Sequence, residues 1–443
     1  MSASEVAIAY PARRFFISLI TRDLTLEDAI LDLIDNSINC ALRTLQYDVD
    51  RIESLISNTD SSPAQTLSID IQVTSEKFSI QDTCGGISIE AAREHIFRFG
   101  RDAGDHEEVG DTLSVYGIGL KRAIFKLGRR IIIKSHRDDH AFEVDINVDR
   151  WARDTNVDWT FPLREISPQE IRVKEGTLIE VTDLHPAIKE KIGLTLSTGA
   201  LERKISSTYS FFLNRIVAIK LNRSALSSKA LKFSSSAQID SFEMEGCRVK
   251  IIAALASSSD DQTWRADAAG WYILCNGRAV LLADKTEKTG WGTNMGSFVS
   301  KFRGFIGMVL FLAEDPERLP WTTTKTGLNQ ESPVYQNALS RMSVAARPVL
   351  NFLNSLYGSS EVEADKARNA AAALEARPIS ELVATRTLSF SAPRGTTNGI
   401  TRIQFDAKTT EIVAIQKHIK KALSARRIGR MCFDYYLQNE VDL

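Results

Sequence analysis

The chain has 443 residues, 43% apolar and 25% charged, with a formal net charge of −1. This is the composition of a globular protein too long for one ordinary core, so two or three domains are expected. The balanced charge excludes a global electrostatic pull toward nucleic acid or membrane and leaves only local patches.

Residues 1–25 read as a mixed lead-in. From Leu26 to Leu45 apolar residues recur at three- and four-residue steps (Leu26, Ile30, Ile34, Ile38, Leu42), which draws a helical stripe. Thr25 and Asp28 supply a cap, and the helix is expected to continue through Ile56. Its polar residues matter most. Asp32, Asn36 and Asn39 share one face, with Asp35 beside the row. A carboxylate can take a proton from water, and an amide oxygen one turn away can ligate a hard cation such as magnesium. An ordinary solvated polar face is the alternative.

A loop over 57–65 leads to TLSIDIQV and EKFSIQD, two alternating segments that read as a hairpin. DTCGGI (82–87) follows, a carboxylate at a strand end with paired glycines where backbone must approach closely. Residues 88–100 read as a short helix and 101–116 as a glycine-punctuated lid. GIGLKRAIFKLG (117–128) puts two glycines at the mouth of an amphipathic helix, with Lys121 in its first turn, as a phosphate cradle does. Two strands, 131–135 and 141–148, follow; His136 and His140 flank the tip between them, a hairpin turn rather than a metal site. GTLIEVTDL (176–184) is a further strand, with the Thr177 hydroxyl at its start.

The order and spacing of these boxes resemble the GHKL ATPases (gyrase B, the ninety-kilodalton heat-shock chaperones, histidine kinases and MutL), which bind ATP in the Bergerat fold. The resemblance implies that Asp32 stands in the position of the general base and Asn36 holds magnesium. It implies that Asp82 accepts from the adenine amine, with Gly86 and Ile87 beside the ring, and that Thr177 helps hold adenine. It places Gly117, Gly119, Leu120 and Lys121 around the phosphates. Two departures stand out: the usual base is Glu rather than Asp32, and Cys84 replaces the first glycine of the adenine box.

Further on, Leu201–Leu213 reads as an amphipathic helix, followed by strands RIVAIKLN, VKIIAAL, GWYILCNGRAVLLAD and FRGFIGMVLFL. Asn276-Gly277 is a hairpin-turn signal within the third of these segments. LPWTTTKTGLN (319–329) and a closing helix complete a segment similar to the transducer domain of gyrase, MutL and MORC ATPases. That similarity makes Lys325 the lysine delivered to the γ-phosphate; the alternative is a surface lysine in a Thr-rich turn. A second domain of this kind is not expected in a histidine kinase.

Residues 358–400 read as a connector. Residues 401–443 read as strand, helix, helix, similar to a ribbon–helix–helix module. Lys417, Lys420, Lys421, Arg426, Arg427 and Arg430 lie in an acid-free stretch suited to phosphate contacts, or to a dimerisation tail with solvated charges. The five cysteines are scattered without a CxxC pair, as expected of free thiols in a reducing, cytoplasmic setting. Neither a membrane span nor a secretory signal is expected.

The expected architecture is therefore α+β: a Bergerat-fold α/β sandwich ATP-binding domain over 1–200, a transducer-like α/β domain over 201–357, the 358–400 connector and the 401–443 module. The implied activity is an ATP-dependent clamp that binds and hydrolyses Mg-ATP, pairs as a homodimer when ATP is bound, and acts on DNA through 417–430. Genome maintenance or phage defence follows only as a family tendency. A chaperone-like ATPase with protein partners and a non-hydrolysing ATP-sensing scaffold stay open beside it.

Overall fold

The computed structural model describes residues 11–57, 67–100, 113, 117–154, 158–171, 175–197, 199–228, 231, 233–256, 264–358, 379, 382–384, 407–419 and 423–440. The 101–116 lid, save Leu113, and most of the 358–400 connector lie outside them. The chain divides into two compact units, Met1–Pro393 and Arg394–Leu443.

In the first unit, helix α1 (Arg13–Thr21) precedes α2 (Leu26–Thr44). The Thr25 hydroxyl accepts from the Asp28 N–H at 3.1 Å, and Glu27 and Asp28 favour the positive end of the helix dipole. The helix does not run on to Ile56 as expected. Gln46 adopts φ +55, and α3 (Val49–Ser57) starts afresh. The Arg51 guanidinium donates to the carbonyls of Leu45 and Gln46 at 3.0 and 2.8 Å, and Asp48 accepts from the Arg51 N–H, so the turn satisfies its own backbone.

Strands β1 (Leu67–Val73) and β2 (Lys77–Asp82) form the expected hairpin, with Leu67, Ile69, Ile71 and Val73 buried on one face. Instead of one short helix, residues 88–100 contain a single turn, α4 (Ile89–Ala91), capped by Ser88, and a π turn over Ala92–Ile96. Helix α5 (Gly119–Leu127) packs on α2. Then come β3 (Gly128–Arg137), β4 (His140–Asn147), α6 (Val148–Arg153), β5 (Leu163–Ile166) and β6 (Gly176–Leu184). The β3–β4 turn at Asp138–Asp139 has His136 and His140 at its shoulders. Helices α7 (Pro186–Ser197) and α8 (Ala200–Thr208) lead to β7 (Val217–Leu221) and β8 (Ser224–Ala225). The sheet order is β5-β4-β3-β6-β2-β1-β7-β8. β7 lies parallel to β1, so this sheet takes strands from beyond residue 200, where a second domain was expected to begin.

A second sheet has the order β12-β11-β13-β10-β9-β14, built from β9 (Phe233–Met244), β10 (Cys247–Ala256), β11 (Gly270–Cys275), β12 (Arg278–Asp284), β13 (Phe305–Leu312) and β14 (Val383–Ala384). Helix α9 (Pro333–Gly358) covers β9 and β10. Asn276 and Gly277 turn β11 into β12 with φ +44 and +83, the primed geometry that Asn-Gly favours. The Asn276 amide bonds both backbone groups of Ala313, at 2.9 and 3.0 Å. A Cβ at Gly277 would stand 2.7 Å from Phe212 Cζ. The tip is thus seated against the segment after α8, and Arg278, the next residue, is carried toward α2.

The second unit contains α10 (Thr409–Ile419) and α11 (Ala425–Glu440). Of these helices Ile428 is buried, while Phe433, Tyr435 and Tyr436 are exposed and Arg430 pairs with Asp434 at 3.0 Å. The expected strand near 402–405, Lys420 and Lys421 fall outside the described residues. No helix among the described residues is long and apolar enough to cross a membrane.

Candidate functional site

The polar residues of α2 serve two separate environments. Beside Ser37 stands Asp82, at the C-terminus of β2 and buried. Its Oδ2 accepts from the Ser37 hydroxyl at 2.7 Å, and its Oδ1 accepts from the N–H groups of Cys84 and Thr177 at 3.0 and 3.2 Å. Burial pushes the Asp82 carboxyl up from its usual range, against these hydrogen bonds. The Ser135 hydroxyl, on β3, lies 2.9 Å from the Thr177 hydroxyl and accepts from the Ile87 N–H at 2.8 Å. Gly86 adopts φ +65, and a Cβ there would stand 2.1 Å from the His136 carbonyl. Only glycine fits, because β3 already fills that space. The Cys40 thiol donates to the Gly86 carbonyl at 3.4 Å. Asp82, Gly86, Ile87 and Thr177 therefore meet at one place. Cys84 turns its side chain into the core, where burial raises its thiol well above the ordinary range, so it behaves as a small apolar filler.

The other environment is charged. Asp32 and Asp35 are both buried. Arg122 of α5 grips both Asp32 oxygens, Nε to Oδ2 at 2.6 Å and Nη2 to Oδ1 at 2.8 Å, the bidentate form of the pair. Its Nη1 donates to the Thr323 carbonyl at 3.2 Å. Asp35 meets two cations: Arg278 Nε at 2.8 and 3.1 Å, and Lys325 Nζ at 2.9 Å. The Tyr209 hydroxyl lies 2.6 Å from Asp35 Oδ1 and 2.8 Å from the Leu31 carbonyl. Arg278 Nη1 also donates to the Lys325 carbonyl at 2.8 Å. Burial raises the Asp32 carboxyl, with Arg122 pulling against it. Asp35 goes the other way: burial would raise it, but Arg278, Lys325 and the Tyr209 hydroxyl outweigh that and hold it below the usual range.

This cluster holds two carboxylates and three cations, one of them Lys325 at 8% exposure. Among the described residues one positive charge is left over in a buried place, which is costly until an anion joins it. The N-terminus of α5 opens beside it, since a Cβ on Gly119 would lie 3.9 Å from Asp32 Cγ. Lys325 itself adopts φ +54, a strained backbone for a non-glycine residue, with its N–H given to the Thr322 carbonyl at 2.8 Å.

Lys121, expected among the phosphates, sits at 2% exposure with its ammonium on the carbonyls of Ile96, at 2.8 Å, and Gly117. It ties the loop entering α5 to the π turn. Gly117 has φ +61 and Leu120 packs against the core. Asn39 accepts from the Leu113 N–H at 3.0 Å. Asn36 Nδ2 is buried without a hydrogen-bond partner among the described residues. An orphaned amide one turn from Asp32 fits a residue that orients its oxygen to a hard cation. No cluster of three or more metal-ligating side chains is present among the described residues, so such an ion would draw its other ligands from phosphate and water.

Sequence reasoning missed Ser37, Arg122, Tyr209 and Arg278. Arg122 stood inside the quoted GIGLKRA box and Arg278 beside the Asn-Gly turn, so both were adjacent to recognised signals. Against known proteins, the stretch from Leu24 to Thr177 matches the family model of the histidine kinase-, DNA gyrase B- and HSP90-like ATPases. No curated protein matches the chain. The match covers α2, the Asp82 box, the head of α5 and Thr177, and it supports a GHKL-type ATP-binding domain in that stretch.

Proposed function

We propose that the chain is an ATP-driven molecular clamp. It binds and hydrolyses Mg-ATP along α2, pairs with a second copy in the ATP-bound state, and acts on DNA. The observation that carries this reading is the unbalanced buried positive charge of the Asp32–Arg122, Asp35–Arg278–Lys325 cluster beside the glycine-opened head of α5. Such a place is stabilised by an arriving polyphosphate.

Asp82 accepts from the adenine amine, and Thr177, Gly86 and Ile87 frame the ring. The N–H groups from Gly117 to Leu120 face the phosphates, with Lys121 bracing that loop from behind. Asn36 would hold magnesium, which supplies charge neutralisation on the phosphate oxygens. In hydrolysis a water oxygen bonds to the γ-phosphorus, the bond from that phosphorus to the bridging oxygen breaks, and ADP leaves with the bridging oxygen. Asp32 takes the proton of the water, for which Arg122 must release one of its oxygens. Lys325 turns from Asp35 to the terminal phosphate and offsets its charge. The part built on the second sheet, from β9 to α9, then acts as the transducer, and the 401–443 module supplies DNA contact and pairing.

The test is ATP turnover with and without duplex DNA, beside sizing with a non-hydrolysable ATP analogue. DNA-stimulated turnover and analogue-dependent dimers are expected. A monomer that turns over ATP indifferently to DNA, or that shows no salt-dependent DNA binding, rejects the clamp. Lys325→Ala is expected to lower turnover and the preference for ATP over ADP while sparing ADP affinity. A second reading, ATP sensing without turnover, is favoured by one observation: Arg122 occupies both oxygens of Asp32. Under it, Asp32→Asn leaves turnover at the background level of the parent protein.

A further inference from the structure

Asp35 carries more positive charge than it needs. The Arg278 Nε–H bridges both of its oxygens, at 2.8 and 3.1 Å, so Arg278 alone balances its single charge, and Tyr209 adds a contact to Oδ1. In charge, Lys325 is therefore the surplus partner, although its ammonium is the shorter donor to Oδ2 at 2.9 Å. Arg278 is 2% exposed and comes from the other sheet, placed by the Asn276–Gly277 turn. Burial works against its charge, and Asp35 and Tyr209 outweigh that, so the guanidinium stays ionised. Its Nη1 donates to the Lys325 carbonyl at 2.8 Å, and the Lys325 N–H is bound within its own turn. The backbone of Lys325 is thus pinned at both ends of the residue, in a strained conformation, while its side chain hangs on a carboxylate that another cation already satisfies.

We infer that Arg278 is the positioning residue that makes Lys325 transferable: it keeps Asp35 compensated as the Lys325 ammonium leaves for the terminal phosphate, and it fixes the backbone from which that side chain swings. The inference rests on the proposed Lys325–phosphate contact and adds a second residue to it. Without Arg278, Lys325 becomes the one cation left to Asp35 among the described residues, and leaving it would strand a buried carboxylate. The cluster would also become neutral and lose its surplus charge.

The readout is the ratio of affinities for a non-hydrolysable ATP analogue and ADP, measured by calorimetry on the full chain with magnesium. The parent protein is expected to prefer the analogue, as the proposed Lys325–phosphate contact requires. Arg278→Met is expected to lower that preference about tenfold with ADP affinity unchanged. Arg278→Lys, which keeps the charge, retains most of it. Adding Asp35→Asn to Arg278→Met restores the preference, because the double variant has the parent's surplus charge and no carboxylate to detain Lys325. A merely structural Arg278 predicts the opposite, with the double variant worse than the single one. If Arg278→Met does not fold, the pair Arg278→Lys and Arg278→Lys/Asp35→Asn carries the comparison; a preference lost in the first and not regained in the second overturns the inference. Lys325→Ala separates the two ideas. If it leaves the preference intact, the phosphate contact itself is wrong. If it abolishes the preference while Arg278→Met does not, only the role of Arg278 falls.

Discussion

The two ends of the candidate site along α2 bury carboxylates in opposite ways: Asp82 of β2 beside Ser37, and Asp35 of the helix itself. Asp82 is met by a hydroxyl and two backbone N–H groups. Asp35 is met by two cations and a phenol. The first arrangement spends neutral donors on a single charge, so burial wins and the carboxyl is raised. The second overcompensates, and the carboxyl is lowered although it is equally buried. Neutral donors leave an acceptor that can read a hydrogen-bonding group such as an amine. Surplus cations leave a place for an anion. In the proposed nucleotide site the first would read the base and the second would take the phosphates, the polarity that a nucleotide has.

The largest effect should come from removing the compensating acid. Asp35→Asn leaves Arg122, Arg278 and Lys325 sharing one carboxylate, and is expected to cost about 3 kcal/mol of stability. Denaturant unfolding measures it, and Lys325→Met in the same background should recover part of the loss. A cost below about 0.5 kcal/mol would show that the charges are not coupled. The pH dependence follows with opposite signs at the two ends. Asp35, lowered in the fold, contributes stability that is complete above the ordinary value of 3.8 and is lost as pH falls through its lower folded value. Asp82, raised in the fold, binds its proton more tightly when folded, so its contribution is greatest below 3.8 and declines as pH rises through the folded value. Acid titration of the parent against each Asn variant reads the two slopes, and equal signs would erase the distinction between the ends.

Next in size is the base-reading end. Asp82→Asn replaces an acceptor oxygen with an amide that turns its donor toward the Cys84 and Thr177 N–H groups or toward the adenine amine. ATP affinity should fall by about 2 kcal/mol, roughly 30-fold, and ADP affinity by the same factor. Equal loss for both nucleotides locates the residue at the base. A loss confined to ATP would move Asp82 to the phosphate end.

That Asp82, Gly86 and Thr177 converge was legible in the sequence because the parts are short-range: DTCGGI is contiguous, and GTLIEV aligns beside it through simple antiparallel pairing of β2 with β6. Asp35 was seen but not its role. Its partners lie at 209, 278 and 325, and nothing in local periodicity says that a hairpin tip from the second sheet reaches α2. Lys325 was reached through resemblance, not spacing. Lys121 illustrates a further limit: a lysine after GxG reads as a phosphate cation, yet the π turn brings the Ile96 carbonyl, beside that of Gly117, to where its ammonium is satisfied inside. The break between α2 and α3 was missed because the apolar stripe continues across it, while Gln46 leaves the helical region.

The smallest test is the sharpest on the comparison. Ser37 follows Asn36 and donates to Asp82 Oδ2, leaving Oδ1 to the two backbone N–H groups. This hydrogen bond is the largest of the influences holding the Asp82 carboxyl down against burial. Ser37→Ala should therefore cost about 1 kcal/mol of stability and raise the carboxyl further. Oδ2, freed of its donor, remains able to accept from an amine, so ATP affinity near neutral pH should hardly change. What should move is the acid limb of the affinity profile, which shifts to higher pH because a protonated Asp82 cannot accept on that oxygen. Calorimetry across pH 4–7 follows that limb. An unchanged limb with unchanged stability would mean that burial alone sets Asp82, and that the neutral donors at this end are bystanders to its charge.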